Sequence, residues 1–264
     1  MSDRVLVSVE DHVARVRLNR PEKRNGIDLA MFEAIAAAGD RLAVEPGVRA
    51  VVLSGEGKAF CAGLDWMAFL AMAERAVPVM LERAPGEAAN LAQKVSVVWS
   101  TLPVPVIAAV HGAAMGGGLQ IALGADMRYV TPDAQLSVME VRYGLIPDMG
   151  LSVLLPRLVR ADVARELTFT GRVIDGDEAA RVGLATRVCD DPVAAALETA
   201  RAIAANAPRA VRSAKRLLRD APAHDVAASL ALETELQRAL MGAPEQMEAV
   251  QAVFERRAAR FEDP

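Results

Sequence analysis

Val106-Ile107-Ala108-Ala109-Val110-His111-Gly112-Ala113-Ala114-Met115-Gly116-Gly117-Gly118-Leu119-Gln120 is the stretch whose reading decides the fold. An apolar, β-branched run ends at His111-Gly112, three glycines follow, and a small-residue run to Gly124 has helical character. The pattern predicts strand, tight turn and helix. Three glycines at a helix start strip the backbone of Cβ atoms, so a ligand atom can approach N–H groups that have no partner inside the helix. The helix dipole adds partial positive charge there, which suits an oxygen that carries or develops negative charge. Close packing of a turn against a helix explains the same glycines equally well.

Outward from this centre, Val5, Val7 and Val9 and then Val13 to Leu18 alternate as in an antiparallel hairpin. Asp28 caps a helix reaching about Leu42, and Val48 to Leu53 is a buried strand. A second glycine-punctuated loop, Glu56 to Asp65, leads into a helical run from Trp66 to Ala73. Residues 74–86, with two prolines and mixed charge, are expected to form a mobile insertion. Helical spacing returns over 87–101, strands are expected at Met127–Val130 and Gln135–Val138, and a short helix at Leu151–Leu158. From Ala161 the composition shifts to Ala, Arg, Glu and Leu, which reads as a mainly helical C-terminal region with an amphipathic end, 225–261.

The 264 residues carry a formal net charge of −4 and only 4% aromatic residues, which excludes a broad nucleic-acid surface. No apolar run reaches the length of a membrane span, and Met1-Ser2-Asp3-Arg4 passes directly into the first strand pattern without a signal-peptide segment, so the expectation is a cytoplasmic protein that does not engage membranes. Two distant cysteines, Cys61 and Cys189, form no CxxC, and neither a disulfide framework nor a metal site is expected. His12, His111 and His224 are scattered, no GxSxG is present, and Gly55-Glu56-Gly57-Lys58 fits neither a dinucleotide fingerprint nor a P-loop.

With both glycine loops in view, the chain resembles the enoyl-CoA hydratase/isomerase, or crotonase, family. The matching pieces are 18–25 (LNRPEKRN), 57–65 (GKAFCAGLD), 105–118, 134–150, and 167–171 (LTFTG) with 179–188, nearly the whole chain in order. The resemblance implies an α/β fold, a spiral of ββα units over residues 1–190. It also implies a C-terminal α-helical trimerisation region over 191–264, assembled as a homotrimer or homohexamer. It further implies an acyl-CoA substrate, with CoA carried by the substrate and no separate cofactor, and a thioester oxygen held between two backbone N–H groups. By position those donors are Ala62 and Gly117. Arg24 and Lys58 fall on loops resembling the CoA-binding edge, as phosphate partners or as plain solvated charges. Leu64, Trp66, Met67 and Leu70 border the acyl pocket or belong to ordinary core.

Family members that hydrate enoyl-CoA use two glutamates. The first position is Gln120 here, and an amide can orient water but cannot exchange a proton at neutral pH. The second matches Glu140, read as general acid/base, although a Glu among apolar residues can also be paired or surface-facing. Asp148 is a second carboxylate resembling those of isomerase and hydrolase branches, or else a helix N-cap. Double-bond isomerisation of an enoyl-CoA is the expected reaction, since it moves a proton between carbons and consumes no water. Hydration in fatty-acid β-oxidation, thioester hydrolysis and non-catalytic acyl-CoA binding remain alternatives.

Overall fold

The computed structural model describes residues 4–263, with the side chains of residues 72–75 outside the description. Its elements in order are β1 (Val5–Glu10), β2 (Val13–Leu18), α1 (Leu29–Val44), β3 (Ala50–Gly55), α2 (Trp66–Leu81), α3 (Leu91–Thr101), β4 (Val106–Val110), β5 (Ala113–Met115), α4 (Gly117–Leu123), β6 (Met127–Val130), β7 (Gln135–Ser137), α5 (Leu151–Leu154), α6 (Ala161–Thr170), α7 (Gly176–Arg181), β8 (Arg187–Val188), α8 (Pro192–Ala204), α9 (Pro208–Asp220), α10 (Val226–Leu240) and α11 (Pro244–Glu255). Short 3-10 turns join several of them, one of which, Glu140–Tyr143, carries a site residue.

Six strands form one sheet in the order β1-β2-β3-β4-β6-β8, antiparallel only between β1 and β2. β5 and β7 make a separate parallel pair, so successive ββα units wind as a spiral. Period-2 alternation assigns the faces. Val51, Leu53, Val106, Ala108 and Val110 enter the main core with α1 and α3, while Ala50, Val52, Ile107 and Ala109 face Ala196, Ala200 and Ala204 of α8. Burial on both faces is why these strands read as nearly continuous apolar runs.

α2 does not stop at Ala73 but continues to Leu81, through Pro78, and replaces the expected insertion over its first half. Ala76 and Met80 bury there, and this apolar packing outweighs the N–H that Pro78 cannot donate. α3 begins later than its periodicity suggests because Asn90 and Gln93 form a reciprocal capping box. The C-terminal region is mostly helical, with one unanticipated strand: β8 pairs with β6 at the sheet edge. No helix among the described residues is long and apolar enough to cross a membrane.

Candidate active site

The central motif folds as strand β4, the short strand β5 and helix α4, and its three glycines do three different things. Gly116 has φ +51° and ψ −119°, a conformation that disfavours any Cβ, and turns the chain out of β5. Gly118 is packing: a Cβ on it would fall 2.8 Å from the Cβ of Cys61. Gly117 opens α4, where the first N–H groups of a helix lack intrahelical acceptors. Packing thus accounts for Gly118, while Gly117 has the helix-start geometry that a backbone donor requires.

The second loop runs alongside. The Cys61 N–H donates to Ala113 O at 2.9 Å and the Met115 N–H to Cys61 O at 3.0 Å, a short bridge that continues the β5 pairing. The Gly63 backbone lies against the start of α4, since a Cβ there would be 3.9 Å from Gly117 N. The Ala62 N–H, expected to be free, already donates to Arg24 O at 2.9 Å. Two residues on, the Ile27 N–H donates to Gly63 O at 2.8 Å and the Asp65 N–H to Ile27 O at 3.0 Å. Between these bonds, the Leu64 N–H has no acceptor among the described residues, and since Leu64 lines the cavity described below, it and not Ala62 is the donor this loop leaves free there. Sequence position alone missed this, because hydrogen bonds from outside the loop decide which amide is consumed.

A cavity of about 450 Å³ opens between α2 and the segment 139–149. Ala62, Gly63, Leu64, Gly117, Glu140 and Asp148 all line it. So does Trp66, whose ring packs against Tyr143 at 4.8 Å with a 37° tilt between the planes and meets Phe69 edge-on at 6.1 Å. Met67 and Leu70 point elsewhere, 78% and 66% exposed, and are corrected out of the lining. α2 turns its 66, 69, 77 and 80 positions inward, and the i, i+3 aromatic spacing of Trp66 and Phe69 is the signal that would have found the second ring. Arg24 and Lys58 are exposed outside the cavity, and neither side chain makes an ion pair among the described residues. Asn25 laces their two loops, its carboxamide donating to Glu56 O, Ala59 O and Phe60 O.

Glu140 heads its 3-10 turn beside Gly116, where a Cβ would meet its Oε1 at 3.2 Å. That oxygen accepts a 2.6 Å hydrogen bond from Gln120 Nε2, while Oε2 is buried with no partner. Burial, reinforced by the charge of Asp148, holds the Glu140 carboxyl above the usual range, against the opposing pull of the Gln120 hydrogen bond. Asp148 is exposed over part of its surface, yet partial burial of its carboxyl raises it too. It caps nothing: α5 starts after Gly150, with no side-chain cap. Gln120 is fully buried behind the cavity wall and does not line it, contrary to its expected place among substrate-binding residues. Cys61 sits under the loop, with its thiol pushed up to about 12 by burial and therefore inert. No cluster of three potential metal ligands is found among the described residues.

The sequence profile of the enoyl-CoA hydratase/isomerase family matches residues 8–264. The chain belongs to that family and is an enzyme of its fold. A solved enoyl-CoA hydratase from Bacillus anthracis superposes with a TM-score of 0.89 at 30% identity, over 98% of this chain and 99% of that one. An enoyl-CoA hydratase from Mycobacterium tuberculosis H37Rv gives a TM-score of 0.87 at 28% identity, with 98% and 99% coverage. The mitochondrial Delta(3,5)-Delta(2,4)-dienoyl-CoA isomerase of Mus musculus is 34% identical over 266 residues, spanning 96% of this chain and 79% of that protein. The relatives of this hydratase/isomerase thus include both reaction types.

Proposed function

We propose that the protein isomerises the double bond of an enoyl-CoA thioester. One observation carries this reading: the two ionisable carboxylates of the cavity are Glu140 and Asp148, while the position of the first hydratase glutamate holds Gln120, buried outside the cavity. The thioester oxygen is held by the N–H groups of Leu64 and Gly117. With a 3-enoyl substrate, Glu140 takes a proton from the carbon beside the thioester, and the electron pair moves onto that oxygen as a dienolate. Two preorganised donors stabilise the charge, each worth about two to three orders of magnitude in rate. The proton returns at the γ carbon, from Glu140 or from Asp148, so no water is consumed. Arg24 and Lys58 receive the CoA phosphates at the rim, and Trp66 and Phe69 bound the acyl chain. The working assembly in this reading is a trimer or hexamer acting in the cytoplasm.

Hydration is the second reading, favoured by the carboxyl of Asp148 on the cavity wall, which could hold a water for Glu140 to activate. A coupled assay with crotonyl-CoA and a 3-enoyl-CoA, run alongside deuterium exchange at the α carbon, separates the two. Conversion of the 3-enoyl substrate with exchange is expected. Fast hydration of crotonyl-CoA without isomerisation would overturn the proposal. Release of free CoA in a thiol-trapping assay would point to hydrolysis, and tight acyl-CoA binding without turnover to a binding protein.

A further inference from the structure

We infer that Gln120 is a positioning residue that confines the proton-carrying duty of Glu140 to a single oxygen, Oε2, and ties that oxygen's placement to the backbone beside Asp148. The inference deepens the isomerase reading and rests on Glu140 being its acid/base. It starts from a question of orientation. A carboxamide has one acceptor end and one donor end, and nothing intrinsic fixes which way it points. Here the environment fixes it, because the Met149 N–H, 2.9 Å from Gln120 Oε1, can only donate. The oxygen of Gln120 must therefore face Met149, and its NH₂ must face Glu140, where it lies 2.6 Å from Oε1. A donor at that position favours the carbonyl form of Oε1, the stronger acceptor of the two. Oε1 therefore accepts in both states of Glu140, and in the neutral form the proton resides on Oε2.

That second oxygen is the one without any partner, buried in a side chain that lines the cavity. An orphaned buried carboxylate oxygen is costly, and here it has a use: Oε2 lies covered beside the cavity, and once the Glu140 side chain turns it toward the substrate it takes the C–H proton with no side-chain hydrogen bond to break. The same Gln120 amide reaches the residue next to Asp148, so one buried side chain sets the spacing of both carboxyl groups. The other groups that bear on Glu140 are few. Asp148 and Tyr143 share its cavity, and no Lys, Arg or His lines it. Gln120 itself touches neither the cavity nor a substrate and acts only through Glu140 and Met149.

The test reads the protonated Glu140 carboxyl directly. Infrared difference spectra of the full-length protein against its E140Q variant isolate the carboxylic C=O band, and a pH titration gives its midpoint. In wild type the C=O oxygen is Oε1, hydrogen-bonded by Gln120, so the band lies low. Q120L should move the band to higher frequency and raise the midpoint by about one pH unit, through loss of a hydrogen bond to a charged group. The acid limb of kcat/KM for the 3-enoyl substrate should move by the same amount, with little change in KM. An unmoved band and midpoint in folded Q120L would overturn the inference. Should Q120L not fold, Q120E supplies the reading. Its second carboxyl should make Glu140 titrate in two coupled steps, and a single unperturbed step would be equally fatal. Failure of the isomerase reading is separate: it appears as turnover retained in E140Q, while the band shift in Q120L still reports on Gln120.

Discussion

Arg20 and Asp65 form a 2.8 Å ion pair beneath the loop that carries the Leu64 N–H, with side-chain exposures of only 9% and 12%. Arg20 also donates to Gly26 O at 2.9 Å, and Asp65 caps α2 by accepting from the Ala68 N–H. One pair thus anchors the donor loop at one end and the cavity helix at the other. Replacing Arg20 with Met leaves a carboxylate largely buried without its cation, a change worth about 3 kcal/mol of stability. R20M should lower the unfolding midpoint and reduce kcat about tenfold or more, since a displaced Leu64 amide weakens oxyanion binding. Denaturant unfolding and steady-state kinetics check both, and a stability loss with kcat intact would detach the pair from the site.

The aromatic corner makes a contrast within a single helix. Trp66 packs on Tyr143 and Phe69, and such pairs contribute about 0.5–1.5 kcal/mol beyond area burial. W66A and F69A should raise KM for acyl-CoA several-fold. M67A and L70A, on the exposed face of the same helix, should leave KM within error. Equal effects at all four positions would mean that α2 closes differently over bound substrate.

Much of this arrangement is legible in the sequence, for physical reasons that differ by region. The strands β3 and β4 are buried on both faces and announce themselves as apolar runs, and the cap at Asp28 is local chemistry. Glu140 and Gly117 stand out by residue type and spacing. What the sequence hides is set by partners far along the chain. Arg24 O consumes the Ala62 amide across 38 residues, and Met149 orients the Gln120 carboxamide across 29. The length of α2 was also hidden, because Pro78 reads as a breaker until the burial of Met80 is known.

Lys215 of α9 is inserted into the core's edge, its ammonium donating to Trp99 O, Val104 O and the carboxylate of Asp126. Asp126 in turn accepts from the Val106 N–H, the first residue of β4. Burial depresses the lysine, although Asp126 opposes this. K215M should cost about 1–2 kcal/mol, chiefly by leaving Trp99 O and Val104 O without their donor, since the Asp126 carboxylate reaches solvent and keeps the Val106 N–H. In wild type the unfolded chain binds the extra proton between the lowered and the ordinary lysine values, so this group's contribution to stability rises with pH across that window. Thermal unfolding of wild type and K215M from neutral to alkaline pH measures both, and identical midpoints would show that the pair contributes nothing.

Glu140 must be ionised to take a proton, so kcat/KM should rise with pH through a limb lying above the ordinary glutamate value. Desolvation is the larger cause of the shift and the neighbouring charge of Asp148 a smaller one. D148N removes only the second, so the limb should move down in pH but stay above the ordinary value. A limb unchanged in D148N would mean that the two carboxyl groups do not sense each other.

The same displacement has a stability consequence of opposite use. A carboxyl raised on folding keeps its proton in the native state where the unfolded chain has lost it, so stability falls as pH rises from the ordinary glutamate value through the raised one. Above that window the native protein carries the whole cost of a buried charge with one oxygen unpartnered. E140Q keeps the shape and still accepts from Gln120, but holds no charge. Its thermal midpoint should exceed that of wild type at neutral pH, and the two should converge in acid below the ordinary glutamate value. Turnover should collapse in the same variant, as expected where activity requires a destabilised group. Midpoints that coincide at every pH would place the Glu140 carboxylate in a better solvated setting than the cavity wall provides.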